Sequence, residues 1–237
     1  MTNIPKIDTD KSRYDFDDLN AIIAVLLGEG GCPWDLAQTH ESLLECLLEE
    51  CWEVADAVRS RDDRSLTEEL GDVLLQVVFH SRMAEKDGRF CIGDVVDGVA
   101  KKMISRHTHI FGKDRAGDEA EALETWEANK ALEKGGLSPA DELRLVPRTF
   151  PSALRAMKVF RKARKLGLLP GDASSAVRAS AEALSRLQSA LESGDETESI
   201  ARYKTFILES SKISAFFKIN AELHLTNALD EFINSIR

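Results

Sequence analysis

Three observations predict an all-α fold. Apolar residues recur at three- and four-residue spacing through most of the chain, helix-start signals stand before several of those stretches, and nothing alternates with period two over a strand length. The length of 237 residues suits one large domain or two small ones, and 43% hydrophobic with 30% charged residues describes an ordinary soluble globular composition.

The elements follow in order. Residues 16–27 place Phe16, Leu19, Ile22, Ile23 and Leu26 on one helical stripe, and Gly28, Gly30 and Gly31 stop it. Cys32, Pro33, Trp34 and Asp35 read as a loop. Thr39 is the expected N-cap of a second helix, with Glu41 in its first turn and Leu43, Leu44, Leu47, Leu48, Cys51, Val54, Ala55 and Val58 along it. A polar turn over 59–64 precedes Ser65, which with Glu68 forms a capping-box pattern for a third helix. Its apolar face is Leu66, Leu70, Val73, Leu74, Val77 and Val78. A turn at Gly88 leads to a fourth helix over 92–107, whose expected buried stripe is Val95, Val96, Val99 and Met103. Residues 112–119 read as a loop and 120–134 as a mostly polar helix. Gly135, Gly136, Pro139 and Pro147 mark a linker over 135–149. Helices are then expected over 151–166, 173–193, 196–217 and 224–236.

The net charge of −10 is unevenly placed: residues 1–134 carry −13 and residues 135–237 carry +3. A nucleic-acid polymer is not an expected partner of the acidic half, because phosphate binding needs a basic face. The four cysteines, at 32, 46, 51 and 91, form no C-x-x-C pair, so free thiols in a reducing cytosol are expected. No apolar run approaches the roughly 20 residues of a membrane span, and the first residues lack a signal-peptide core, so a cytoplasmic protein is expected.

The chemistry-bearing constellation is Glu49, Glu50 and Glu53 on the second helix with Glu68, Glu69 and Asp72 on the third. Residues three apart on a helix share a face, so Glu50 projects with Glu53 and Glu69 with Asp72. A short connection favours antiparallel packing of the two helices, and the apolar residues interleaved with the acids place them beside the buried faces. Four converging carboxylates repel unless a cation joins them, and all-oxygen ligation suits Mg²⁺ or Mn²⁺. A single acidic pair would read as a solvated face, but two pairs in apolar flanks on adjacent helices favour a metal site.

These residues also carry a resemblance. The strings GCPWD (31–35), QTH (38–40), LLEE (47–50), EELGDVLLQVVFH (68–80) and RHTHIFG (106–112), with Trp126 and Lys130 four apart, resemble the MazG family of all-α nucleoside triphosphate pyrophosphohydrolases over residues 15–134. The resemblance implies Mg²⁺-dependent hydrolysis of a nucleoside triphosphate to the monophosphate and pyrophosphate by a homodimer of helical bundles. It implies metal ligation by Glu50, Glu53, Glu69 and Asp72, phosphate contacts from Lys102 and Arg106, and further substrate contacts from Trp126 and Lys130. Trp34, Asp35 and Gln38 would lie near the nucleoside, although Trp34 reads equally well as an apolar plug over the bundle end. Glu49, in the same turn as the ligands, is assigned to orienting the attacking water or supporting them. Thr108 stands where the family more often has proline. His107 and His109 read as packing and hydrogen bonding at a helix end.

The second half carries a weak repeat at an offset of 133, and its LVPR (145–148) and PSALRAMK (151–158) strings resemble the opening of a second module in two-module relatives. Under that offset Arg202 and Thr205 replace Glu69 and Asp72, and only Glu182 remains in the earlier helix. The expected organisation is therefore tandem MazG-like bundles: a catalytic domain over 1–134, a linker, and a degenerate domain over 150–237 that binds no catalytic metal. Two alternatives stay open on the residues alone. One is a non-catalytic nucleotide-binding module. The other is a di-iron oxidoreductase, although that chemistry wants Glu-x-x-His pairs where this chain has ExxE and ExxD.

Overall fold

The computed structural model describes residues 7–133, 136–217 and 219–236. Lys134 and Gly135, expected at the end of the fifth helix and in the linker, lie outside the described residues, as do residues 1–6. The chain is all-α, with no strand among the described residues. It separates into two compact units, residues 1–133 and 134–237. No helix among the described residues is long and apolar enough to cross a membrane.

In the first unit, helix α1 (Phe16–Leu26) begins at Asp15, whose carboxylate accepts from the Asp18 amide while the Asp18 side chain accepts from the Asp15 amide. The chain then folds back so tightly that a Cβ at Gly31 would sit 2.1 Å from the Leu26 carbonyl oxygen. Pro33, with its ring-fixed φ at the first helical position, starts the one-turn helix α2 (Pro33–Leu36) where the sequence suggested a loop.

Helices α3 (Leu44–Ser60) and α4 (Asp63–Lys86) pack as a hairpin. Both N-termini differ from expectation for a local reason. Thr39 does not cap α3. Its hydroxyl accepts from the Ser42 amide and the Ser42 hydroxyl accepts from the Thr39 amide, which closes a separate turn before the helix starts at Leu44. Ser65 does not cap α4, because Asp62 does: its carboxylate accepts from the Arg64 and Ser65 amides and the Ser65 hydroxyl. The connection is left with two residues, Arg61 in the left-handed region at φ 56° and Asp62.

The core of this unit is Ile23, Leu27, Leu43, Val78 and Phe79, with Leu19, Leu26, Leu75, Met83 and Ile92 around it. Helix α5 (Ile92–Arg106) contacts α4 and continues into the one-turn α6 (Thr108–Phe111). Helix α7 (Glu119–Leu132), capped by Asp118, packs on both. The apolar stripe of α5 is not buried as expected: Val96 and Val99 are 50% and 46% exposed, and Val95 and Met103 are exposed too. Periodicity identifies a stripe, but burial needs a covering element, and these neighbours leave the stripe open.

In the second unit, Ser138 caps α8 (Pro139–Arg144), a short helix inside the stretch that reads as linker. Helix α9 (Ser152–Lys165) contacts α8, α11 and α12. Helices α10 (Ala173–Ser193) and α11 (Glu196–Ile213) form a hairpin, followed by a 3₁₀ turn (Ser214–Phe216) and α12 (Ala221–Ser235). The α10–α11 joint repeats the α3–α4 joint: Gly194 is left-handed at φ 73° and Asp195 caps α11 by accepting from the Glu198 amide. Gly194, Asp195 and Glu198 lie 133 residues after Arg61, Asp62 and Ser65, so the two hairpins share one register.

Candidate metal and substrate site

The α3–α4 hairpin places three of the expected acids together. One carboxylate oxygen from each of Glu50, Glu69 and Asp72 lies within 4.8 Å of the others, and all three side chains are half-buried. The two-residue turn fixes the register, so the second and third turns of α4, which carry Glu69 and Asp72, face the middle of α3. Burial and the charges of Asp72, Glu53 and Glu69 push the Glu50 carboxyl up, and so does a hydrogen bond with Glu53. Burial and the charges of Glu53, Glu68 and Asp72 push Glu69 up as well. Glu53 is more exposed than the three and adjoins them through Glu50. Glu49 is exposed in the same turn. Carboxylates whose burial and mutual repulsion raise Glu50 and Glu69 are an arrangement that a hard divalent cation relieves, and the donor set is entirely oxygen.

A second group forms on α5 and α7. The Arg106 guanidinium carbon lies 5.1 Å from the Trp126 ring centroid and the Lys130 ammonium lies 4.5 Å from it. Arg106 is also held by a residue that sequence reasoning missed. Its Nη2 donates to Glu133 Oε2 at 2.6 Å and its Nε donates to both Glu133 oxygens at 3.1 Å. The Ser105 hydroxyl donates to the same carboxylate at 3.2 Å. This contact holds Glu133 below the usual carboxylate range and raises Arg106. A signal existed: Glu133 follows Trp126 and Lys130 at helical spacing on one face. Lys102, one turn before Arg106, is exposed. Close by, Asn129 donates to the Thr108 hydroxyl at 2.8 Å, and Thr108 donates to Asp114.

A third group lies around α2. Trp34 is 63% exposed, which disagrees with a plug over the bundle and leaves its indole face open. Gln38 is tied down, its amide donating to the Trp34 carbonyl at 2.9 Å and its Oε1 accepting from the Ser42 hydroxyl at 2.7 Å. Asp35 is half-buried in the same turn. The four cysteines are free.

The second hairpin lacks the acids. Where the shared register would put Glu69 stands Arg202, whose Nε donates to Glu198 at 2.7 Å, and Glu182 pairs with Arg186 at 3.6 Å. Among the described residues, Glu50, Glu69 and Asp72 form the one close group of three potential ligands.

An all-α unit built on a helical hairpin with a carboxylate cluster, and carrying a cation–aromatic group on α5 and α7, defines the class of protein. Residues 38–111 match the model of the MazG nucleotide pyrophosphohydrolase domain. A Thermotoga maritima protein described as nucleoside triphosphate pyrophosphohydrolase/pyrophosphatase MazG is 33% identical over 222 residues, covering 94% of this chain and 84% of its own length. The chain belongs to the MazG family. An Escherichia coli nucleoside triphosphate pyrophosphohydrolase is 37% identical over 59% of this chain, and a Bacillus subtilis protein, YabN, is 42% identical over 66%. This chain spans 53% of the E. coli protein and 32% of the B. subtilis one.

Proposed function

We propose that this chain is a Mg²⁺-dependent nucleoside triphosphate pyrophosphohydrolase, releasing the monophosphate and pyrophosphate by attack of water on the α-phosphorus. The observation that carries the reading is the convergence of Glu50, Glu69 and Asp72 within 4.8 Å, with the Glu50 and Glu69 carboxyls pushed up by burial and by their acidic neighbours. The activity named for the Thermotoga maritima and Escherichia coli relatives supports it.

Glu50, Glu69 and Asp72 would hold the cation, with Glu53 beside them. Mn²⁺ suits the same oxygen donors. Bound there, the cation supplies charge neutralisation for the triphosphate and acidifies a water. Glu49 orients that water or supports its neighbours. Lys102 and Arg106 neutralise the charge growing on the leaving pyrophosphate, as fixed cations do best in a preorganised site. Trp126 and Lys130 complete the substrate-facing side of α7, and the Trp34 indole with Asp35 and Gln38 borders the nucleoside. The open stripe of Val95, Val96, Val99 and Met103 supports the homodimer, since a second copy would cover it. The first unit acts in the cytoplasm, and the second unit, without ligands, serves packing, dimerisation or regulation. Pyrophosphate release from a panel of triphosphates with and without Mg²⁺ tests the proposal, and a chain that binds nucleotide without turnover would defeat it.

A further inference from the structure

His40 and His80 are 40 residues apart in sequence yet share a hydrogen bond. Their Nδ1 atoms are 2.7 Å apart and their rings are nearly parallel, at 6°. On the other side of His40, its Nε2 meets the Arg89 guanidinium. Arginine can only donate, so His40 Nε2 accepts and its proton sits on Nδ1. That proton is given to His80 Nδ1, which must be bare, so His80 carries its proton on Nε2. One donor at the end of the chain thus assigns both tautomers. Arg89 stands in the turn between α4 and α5, His80 is on α4, and His40 lies two residues after Gln38, so three separate pieces of backbone are joined.

We propose that the Arg89–His40–His80 chain is a strap that positions the segment 34–42, with its Trp34, Asp35 and Gln38, and that it operates only while both imidazoles are neutral. The role in catalysis rests on the pyrophosphohydrolase reading, whereas the strap itself does not. A proton added to His40 Nε2 sets two donors against each other at Arg89. A proton added to His80 Nδ1 does the same at His40. The charged groups around the pair are Arg89, its partner Asp87 at 3.1 Å, and Glu41 in the same segment as His40. Burial and the neighbouring His40 push His80 below the ordinary histidine value, which favours the neutral ring the strap needs. The segment's own bonds, between Thr39 and Ser42 and from Gln38 to Trp34, are local and do not attach it to α4. The histidine pair is a polar link that does.

The test is a set of measurements on the full chain. Ring-nitrogen NMR at pH 7.5 should find His40 protonated on Nδ1 and His80 on Nε2, both neutral. The opposite tautomers, or a charged ring, would overturn the strap without any variant being made. In His80→Phe, amide exchange at Thr39, Ser42 and Leu43 should quicken about 2- to 10-fold, the worth of one hydrogen bond. Unchanged exchange there would also overturn it. In kinetics, that variant should raise KM about 2- to 10-fold with kcat within about twofold, and the unmodified chain's KM should climb as pH falls through the His80 titration. A loss confined to kcat would contradict a positioning role. If the chain releases no pyrophosphate at all, the functional reading fails, while tautomers and exchange still judge the strap.

Discussion

Glu133 occupies the guanidinium of Arg106, with Nη2 and Oε2 2.6 Å apart and the arginine side chain only 13% exposed. A fork-like contact of this kind uses the same donors that a phosphate oxygen would need. If Arg106 meets the leaving pyrophosphate, it must first exchange a carboxylate for a phosphate. Glu133→Gln should therefore lower KM about 2- to 5-fold, since partly exposed ion pairs contribute up to about 1 kcal/mol. Steady-state kinetics at constant salt decides this, and a raised KM would show that Glu133 holds Arg106 for the substrate rather than against it.

If the carboxylate cluster holds Mg²⁺, it trades stability for binding. Asp72→Asn removes a charge that pushes both Glu50 and Glu69 up. The metal-free variant should melt at the same or a higher temperature than the unmodified chain, yet gain nothing from millimolar Mg²⁺. Thermal melts with and without the ion check both halves. A variant still stabilised by Mg²⁺ would remove Asp72 from the ligand set.

The same residues set a pH dependence. Glu50 and Glu69 have carboxyls raised in the folded chain, so the fold binds more protons than the unfolded chain does. Their contribution to stability is fully present below the ordinary glutamate value of 4.5 and is lost as pH rises through the raised values. Bound Mg²⁺ opposes that loss, because it needs the ionised forms. The Tm increase given by Mg²⁺ should be larger at pH 7.5 than at pH 5. Equal increases would mean that the ion binds elsewhere.

Gly31 is a packing requirement at the entrance to the Trp34 segment. A methyl group there would meet the Leu26 carbonyl at 2.1 Å, and the obstacle is backbone. Gly31→Ala should cost about 1–3 kcal/mol, as other forced overpacking does, and should raise KM through displacement of α2. Urea unfolding and kinetics together test this. An unchanged midpoint would show that the bend is looser than its geometry.

Legibility in the sequence varied with how local the deciding interaction was. Helix α10 begins after Asp172 and ends before a left-handed Gly194, and both signals are contained in the sequence around them. The start of α4 went to Asp62 instead of Ser65 because two good caps lay three residues apart, and the earlier one starts the helix and leaves Ser65 inside its first turn with its hydroxyl bonded to Asp62. The acid trio was readable because helical spacing and a short turn place it almost alone. The exposure of Val96 and Val99 was not readable, since an apolar stripe looks the same whether or not a neighbour covers it. The links from Glu133 to Arg106 and from His40 to His80 cross 27 and 40 residues, and periodicity within one helix does not reach that far.

The most direct measurement of the central claim is Mg²⁺-dependent pyrophosphate release by the full chain, compared with its Glu69→Gln and Asp72→Asn variants over a panel of ribo- and deoxyribonucleoside triphosphates. The account predicts one pyrophosphate per monophosphate from the unmodified chain and a loss of at least about 100-fold in kcat for each variant, the scale on which a metal-site residue acts. Turnover that survived both substitutions would contradict it and move the chemistry away from the α3–α4 hairpin.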